Sequence, residues 1–151
     1  MPTNQLNLAT FLPYQLSIAS NAVSDRIARQ YQARFGLKIP EWRVMAVLGD
    51  AGELTQGDIV GLILMDKVAV NRACKALEDR GLVARSPNSR DGRSHFLELT
   101  PEGRAMYDRV MAIAIESERE IYSVLDEAER AQLKRLLTRL REQVIAMGES
   151  A

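Results

Sequence analysis

The chain has 151 residues, 46% of them hydrophobic, and its 20 basic and 20 acidic side chains leave a formal net charge of zero. This length fits one domain with its own core, and the apolar runs are too short and too interrupted by charge to span a membrane. The N-terminus lacks the pattern of a signal peptide, and one cysteine with one histidine excludes an intramolecular disulfide and an ordinary zinc site, so we expect a cytoplasmic protein without a cofactor.

The N-terminal part predicts a loose arm and then a long amphipathic helix. Residues 1–11 are polar and without pattern, so we predict a flexible arm. Pro13 suits the first turn of a helix that ends at Gly36. One apolar stripe runs along this helix: Leu16, Ala19, Val23, Ile27, Tyr31 and Phe35. A single helix cannot bury such a stripe, so we expect it to pack on the C-terminal helices or on a second chain.

Two shorter helices and a brief turn follow. Pro40 opens the first helix, and Thr55 with Asp58 resembles a capping box that starts the second. A turn at residues 64–65 then leads to Asp66, a residue type that caps helix N-termini. Two helices joined by so short a turn predict a helix-turn-helix.

The helix that begins after Asp66 has two different faces. Apolar residues recur at steps of three and four and predict a buried face: Val70, Ala73, Cys74 and Leu77. The opposite face carries donors and small residues suited to phosphates and base edges: Lys67, Val68, Ala69, Asn71, Arg72 and Lys75. Gly81 can take the left-handed conformation that ends the helix.

A β-hairpin is predicted next. Two apolar runs at 82–85 and 95–99 flank a polar, turn-forming stretch with a cationic tip. A helix for the major groove followed by such a hairpin predicts a winged helix-turn-helix, so the fold class is mainly α with a small β-hairpin wing. Residues 67–93 hold seven basic and three acidic side chains. This local positive charge fits DNA binding and an ordinary solvated surface about equally well.

Two further helices complete the chain. Thr100 followed by Pro101 predicts the cap of a long helix, and Asp126 predicts the cap of the last one. The last helix carries apolar residues at heptad-like steps: Leu133, Leu136, Leu137, Leu140, Val144 and Met147. These steps are too few for a free coiled coil but suffice for packing on the N-terminal helix.

Several short motifs, in this order and spacing, resemble the MarR family of transcriptional regulators. They read IPEWRV at 39–44, DKVAVNR at 66–72, LEDRGLVAR at 77–85, RDGRS at 90–94 and LTPEG at 99–103. The resemblance covers residues 12–148 and implies one domain, with a DNA-binding lobe at 40–100 and dimerisation helices at 12–36 and 104–148. It implies a homodimer on a near-palindromic double-stranded operator. Family members mostly repress, and many release DNA when a small, often aromatic and anionic, effector binds.

The resemblance also implies roles for particular residues. In the family, the arginine two places after the wing aspartate enters the minor groove, which assigns this role to Arg93 with Asp91 as its ion-pair partner. Arg90 is expected on a phosphate. On the recognition helix, Lys67 and Lys75 are expected to bind phosphates. Asn71 and Arg72 are expected to bind base edges or phosphates, and Val68 and Ala69 are expected to contact thymine methyl groups. An effector cleft would include Ser17, Asn21, Trp42 and Arg43, although a tryptophan such as Trp42 more often has a plain core role.

Two alternatives stay open at this point. A helical module could use its basic hairpin to bind a protein partner, although two arginines on a turn suit a minor groove better. Some relatives of this family sense peroxides through a cysteine in the N-terminal helix, and Cys74 could act similarly, although it is predicted on a buried face. An enzyme is not expected, because the sequence shows no glycine-rich phosphate loop, metal cluster or catalytic triad.

Overall fold

The computed structural model describes residues 7–88, 90 and 94–149. The chain divides into two compact units, Met1–Ile115 and Glu116–Ala151. The elements in chain order are α1 (Leu12–Phe35), α2 (Ile39–Ala51), β1 (Leu54–Thr55), α3 (Gln56–Ile63), α4 (Lys67–Asp79), β2 (Val83–Pro87), β3 (His95–Leu99), α5 (Pro101–Ile121) and α6 (Glu127–Glu149). All six predicted helices are therefore confirmed, with ends that agree to within about two residues.

Two single-turn 3-10 helices were not predicted, at Leu8–Thr10 and Tyr122–Val124. The first lies inside the segment predicted as a flexible arm. Asn7 caps it by accepting a hydrogen bond from the backbone N–H of Ala9 at 3.0 Å, and Gln15 of α1 donates to the Ala9 carbonyl at 2.9 Å. Such bonds between side chain and backbone leave no hydrophobic period, so the sequence pattern does not reveal them.

The two ends of α4 form as predicted. Asp66 accepts a hydrogen bond from the backbone N–H of Val68 at 3.3 Å. At the other end Gly81 has φ of +72°, its N–H donates to the Glu78 carbonyl, and the Leu82 N–H donates to the Leu77 carbonyl, both at 2.9 Å. This pair of bonds is the Schellman arrangement, which needs a left-handed residue and therefore favours glycine.

The sheet has three antiparallel strands in the order β1-β3-β2. The predicted hairpin pairs Val83 with Leu99 and continues to Pro87 opposite His95, so β2 starts one residue later and runs two residues further than predicted. Strand β1 adds Leu54 opposite Leu97. A strand of two residues is too short to show an alternation of apolar and polar side chains, so it was not predicted. Because α3 follows β1 directly, the pairing of β1 with β3 places the start of α3 beside the hairpin.

The core of the first unit lies between α1, α2, α3, α4, α5 and the sheet. Its largest fully buried side chains are Tyr31, Leu37, Val44, Met45, Leu48, Ile59, Val70, Leu77, Leu97 and Val110. The junction of hairpin and α5 is tight, because a Cβ at Gly103 would lie 1.9 Å from the carbonyl oxygen of Leu82. Thr100 caps α5 there, accepting from the Gly103 N–H at 3.0 Å and donating to the Gly81 carbonyl at 2.7 Å.

Large apolar side chains stay exposed on several elements, among them α1 and α6. In the first unit, Leu12 and Leu16 of α1 are 78% and 47% exposed. In the second unit, α6 carries exposed apolar residues along its length: Leu136, Leu137, Leu140, Val144, Ile145 and Met147. Among the helices of the described residues, none combines the length and the apolar character that crossing a bilayer needs.

Candidate nucleic-acid interface

The second helix of the helix-turn-helix, α4, separates its side chains into two faces as predicted. The apolar face is packed into the core, with Val70, Cys74 and Leu77 each 0% exposed. The opposite face is exposed and carries Lys67, Val68, Asn71, Arg72 and Lys75. Because the capped N-terminus of α4 also lies at this surface, the helix offers cationic, amide and apolar groups that suit phosphates and base edges.

Ala69 differs from the other residues predicted for this face. It is half-buried, whereas Val68 beside it is 53% exposed. A helix turns 100° per residue, so Ala69 falls at the boundary between the two faces. Its assignment to the outer face is therefore corrected to an edge position.

The hairpin after α4 is closed by bonds at the start of its tip. Asn88 donates through its side-chain nitrogen to the Ser94 hydroxyl at 2.9 Å and accepts from the backbone N–H of Arg90 at 3.0 Å. Arg90 is exposed there. Asp91 and Arg93 lie outside the described residues, so their roles stay predictions.

An ion pair joins the hairpin to α4. The guanidinium of Arg85 on β2 donates from Nε to Oε1 of Glu78 at 3.0 Å and from Nη2 to Oε2 at 2.9 Å. This bidentate hydrogen bonding holds the pKa of the Glu78 carboxyl below its ordinary value and raises the pKa of Arg85. No sequence pattern predicts this ion pair, because Glu78 and Arg85 come together only when the hairpin folds back along α4.

The same arginine reaches α3. Arg85 Nη2 donates to Oε1 of Gln56 at 3.2 Å, and Nε2 of Gln56 donates in turn to Oδ1 of Asn71. Gln56 is the first residue of α3 and was not predicted as part of the site. These contacts connect α3, α4 and β2 through side chains that border the exposed face of α4.

An open groove of about 510 Å³ lies next to this network, between the start of α3 and the hairpin. Its lining is polar: Thr55, Gln56, Gly57, Arg85, Asn88, Ser94 and His95. His95 is exposed at the start of β3. The groove therefore continues the polar surface of α4 toward the hairpin.

Cys74 lies on the inner face of α4 and is fully buried, and this burial raises the pKa of its thiol to about 11. The thiolate is the reactive form, so a buried thiol with a raised pKa is a poor target for oxidants. The alternative interpretation as a thiol sensor has no support in this geometry.

The four residues expected at an effector cleft are only partly brought together. Trp42 is half-buried and packs between two rings, with centroid distances of 5.9 Å to Tyr31 and 5.8 Å to Tyr107. Arg43 donates to the hydroxyl of Ser24 on α1 at 3.3 Å. Ser17 and Asn21 are exposed on α1, and within the described residues neither forms a hydrogen bond with Arg43.

Ser24 was missed by the sequence reasoning, although a signal was present. It follows Ser17 and Asn21 at steps of four and three, so the three polar side chains share one face of α1. Arg43 thus lies at one end of a polar stripe. Burial raises the pKa of Tyr31 near it to about 12, and the positive charge of Arg43 acts in the opposite direction.

A short helix, a tight turn, a second helix with an exposed cationic face and an antiparallel hairpin together define a winged helix-turn-helix protein. Comparison with known proteins specifies the family. The model of the MarR family matches residues 35–94. A MarR/EmrR family transcriptional regulator from Acinetobacter sp. ADP1 is 30% identical, with 93% of this chain and 99% of that chain covered and a TM-score of 0.85. The chain belongs to the MarR family of transcriptional regulators.

Two further relatives indicate what family members can recognise. The homoprotocatechuate degradative operon repressor of Escherichia coli is 29% identical over 117 residues, which cover 78% of this chain and 76% of the repressor. NadR, solved in complex with 4-hydroxyphenylacetate, is 27% identical with a TM-score of 0.79, and 93% of this chain and 97% of that one are covered. The first of these relatives is a repressor, and the second holds an aromatic acid.

Proposed function

We propose that the chain is a cytoplasmic, homodimeric repressor that binds a near-palindromic operator and is released by a small aromatic carboxylate. The observation that supports DNA binding most directly is the two-faced α4. The apolar side chains of its inner face are buried, while its lysines, Arg72 and Asn71 stay exposed beside a hairpin with basic residues. In this proposal the DNA-binding lobe comprises residues 40–100.

The proposal assigns the contacts as the family resemblance implies. Lys67, Lys75 and Arg90 bind phosphates, while Asn71 and Arg72 bind base edges or phosphates. Val68 meets a thymine methyl group, and Ala69 contributes at the edge of the helix. Arg93, positioned by Asp91, enters the minor groove.

Dimerisation is supported by the apolar residues that the single chain leaves exposed on α1 and on α6. We assign residues 12–36 and 104–148 to the interface. A two-fold dimer places its two recognition helices on half-sites about 34–36 Å apart, which is one turn of B-DNA. The operator is then an inverted repeat with roughly 10 base pairs between half-site centres.

The aromatic acid is proposed from the relatives and from Arg43. NadR holds 4-hydroxyphenylacetate, and the Escherichia coli relative is the repressor of a homoprotocatechuate degradative operon. In this chain Arg43 is half-buried beside Ser24, Tyr31 and Trp42, which together offer a cation, hydroxyls and ring surfaces. We place the effector there, with Ser17 and Asn21 lining the outer part of the cleft.

Release follows from a shift between dimer arrangements. An effector that turns a 99:1 preference for the DNA-competent arrangement into 1:99 must favour the other arrangement by ~5.5 kcal/mol. An effector with a smaller free-energy preference between the two arrangements releases only part of the bound protein.

The proposal is tested by selecting bound sequences from random duplex DNA with the full-length protein at fixed, moderate salt. We expect an inverted repeat with the spacing given above and a dimer by sedimentation. Enrichment of no sequence, even in dilute salt, would contradict DNA recognition and favour a protein-binding hairpin. A monomer in solution would contradict the two-fold operator.

The effector is tested by titrating the DNA complex with 4-hydroxyphenylacetate and following fluorescence anisotropy. We expect release by wild type and none by Arg43→Met, which keeps an apolar stem but cannot pair with a carboxylate. The ligand control is 4-hydroxyphenylethanol, which keeps the ring hydroxyl and replaces the carboxylate by an uncharged alcohol. Release that is equal for acid and alcohol would show that the carboxylate is not recognised.

A further inference from the structure

We infer that Asn71 presents a hydrogen-bond donor to DNA, because Glu78, Arg85 and Gln56 fix in turn which end of its amide faces outward. The inference rests on the proposed function and goes beyond it, since it states what kind of base Asn71 can select. Each link depends on which atoms can donate and which can accept.

The first link is the ion pair of α4 and β2. An ionised carboxylate only accepts and a guanidinium only donates. The two bonds from Arg85 to Glu78, at 3.0 and 2.9 Å, therefore fix the plane and the position of the guanidinium. Its Nη2 also has a hydrogen atom directed at Gln56.

The second link fixes the amide of Gln56. Because Arg85 cannot accept a hydrogen bond, the group of Gln56 at 3.2 Å from Nη2 has to be the oxygen, Oε1. A Gln56 amide turned by 180° would place its nitrogen against the guanidinium, so that two donors would face each other. The nitrogen of Gln56 then lies at the other end, where it can only donate.

The third link fixes the amide of Asn71. Nε2 of Gln56 is in hydrogen-bond contact with Asn71, so the Asn71 atom that faces it has to be the acceptor, Oδ1. Asn71 itself is exposed on the outer face of α4. Within the part of the chain that the structure describes, its Nδ2 has no hydrogen-bond partner, and it is the end of the amide that remains for DNA.

This orientation restricts what Asn71 can read. Bidentate recognition of adenine needs the amide oxygen and nitrogen together on the N6 and N7 edge. With its oxygen held toward Gln56, Asn71 offers the donor, which suits the acceptors of guanine (N7 and O6), thymine (O4) and adenine (N7). The exposed amino group of cytosine has no acceptor to meet. We therefore expect guanine, thymine or adenine, and not cytosine, at the base position opposite Asn71 in each half-site.

The test uses one nearly isosteric substitution to reverse the donor and acceptor ends of the Asn71 amide. In Gln56→Glu the new carboxylate accepts from both neighbours, so Arg85 stays paired while Asn71 has to turn its Nδ2 inward and its Oδ1 outward. Random-sequence selection is run on full-length wild type, Gln56→Glu and Asn71→Ala. At one half-site position we expect Gln56→Glu to gain cytosine, which wild type excludes, and to lose guanine and thymine, by roughly tenfold in relative enrichment. The same position should lose its preference in Asn71→Ala.

A matched control separates polarity from charge. Leu62 lies on the same helix, α3, is 57% exposed and takes no part in this hydrogen-bond chain, so Leu62→Glu adds the same negative charge. Its repulsion of phosphates acts on every sequence alike, so binding weakens without a change of base preference. If Gln56→Glu does not fold, Gln56→Ala frees the amide to turn, and the position should then accept donor and acceptor bases equally.

The outcomes distinguish this inference from the proposed function. Wild type that selects no sequence removes the function and the inference together. Wild type that selects an operator, with the same base preference in Gln56→Glu, overturns the inference alone. A uniform loss of affinity in Asn71→Ala, with every preference unchanged, would place Asn71 on a phosphate and overturn it as well.

Discussion

Arg85 on β2 binds Glu78 on α4 through two hydrogen bonds, Nε to Oε1 at 3.0 Å and Nη2 to Oε2 at 2.9 Å. The hairpin and the recognition helix are the two elements proposed to bind different grooves of one DNA duplex. A bidentate pair between them fixes their mutual angle better than a single bond would, since it resists rotation about either side chain. The pair therefore prepares the DNA-binding surface before DNA arrives.

The first prediction concerns acid stability. The pKa of Glu78 is lowered in the folded protein, chiefly by the hydrogen bonds from Arg85, so the pair stabilises the fold above the ordinary carboxyl pKa of 4.5. This contribution is lost as the pH falls below 4.5 and through the lower folded pKa. We expect the urea midpoint of wild type to exceed that of Glu78→Gln at pH 7, with the gap narrowing below pH 4.5. A gap that is constant with pH would contradict the ion pair.

The second prediction compares two helical glycines. A Cβ at Gly103 would lie 1.9 Å from the Leu82 carbonyl oxygen, whereas a Cβ at Gly61 meets nothing within 4 Å. We expect Gly103→Ala to lower the free energy of unfolding by ~1–3 kcal/mol or more, because backbone has to move. Gly61→Ala should raise it by ~0.5–1 kcal/mol through helix propensity. Chemical denaturation of both variants measures the two free energies of unfolding. A change of the same sign in both variants would show that the junction of hairpin and α5 is not tight.

The third prediction concerns Cys74. Its buried thiol has a pKa of about 11 in the folded protein against 9.0 ordinarily, so the protonated form is favoured by folding. The corresponding stability is present below pH 9 and is lost as the pH rises through 11, and Tyr31 adds a similar loss between pH 10 and about 12. We expect the urea midpoint to fall from pH 8.5 to 10.5, less steeply in Cys74→Ala.

The same thiol should resist alkylation. At pH 8 iodoacetamide is expected to label the folded protein far more slowly than the urea-unfolded chain. Equal labelling rates, together with loss of DNA binding on oxidation, would restore the interpretation of Cys74 as a sensor.

The fourth prediction concerns the wing arginine, which is assigned from the sequence motif RDGRS. Arg93→Ala is expected to weaken operator binding by ~1–3 kcal/mol, the value of one good contact, and to leave dimerisation unchanged. Titration at fixed salt and sedimentation measure the two quantities. Unchanged affinity would remove this arginine from the mechanism.

The fifth prediction concerns the dimer. Leu140 of α6 is 55% exposed in the single chain, and we place it in the interface between two copies. Leu140→Glu should shift the protein toward monomer in sedimentation, because a buried unpaired carboxylate is costly. Arg141→Gln, beside it on α6 and also exposed, changes the net charge by the same single unit and is the control. A wild-type-like dimer in Leu140→Glu would exclude α6 from the interface at that residue.

The helices of this protein could be predicted from sequence because their signals are local. Asp66, Thr55 with Asp58, and Gly81 mark helix ends through bonds to backbone groups within five residues, and the side chains between them repeat with the helical period. The exposed face of α4 followed from the same period. The period was less accurate at the edge of that face, where Ala69 was expected to be exposed and is half-buried.

Tertiary structure decided the contacts that join these elements. β1 has two residues, too few to show an alternation, and becomes a strand only because β3 lies beside it. Gln56 meets Arg85 across 29 positions and Asn71 across 15, and no periodic pattern within one element can relate residues so far apart. The sequence thus determined which side chains the recognition helix exposes. The packing of α3 and the hairpin around that helix decided how Asn71 is oriented, because hydrogen-bond partners are chosen by proximity in space.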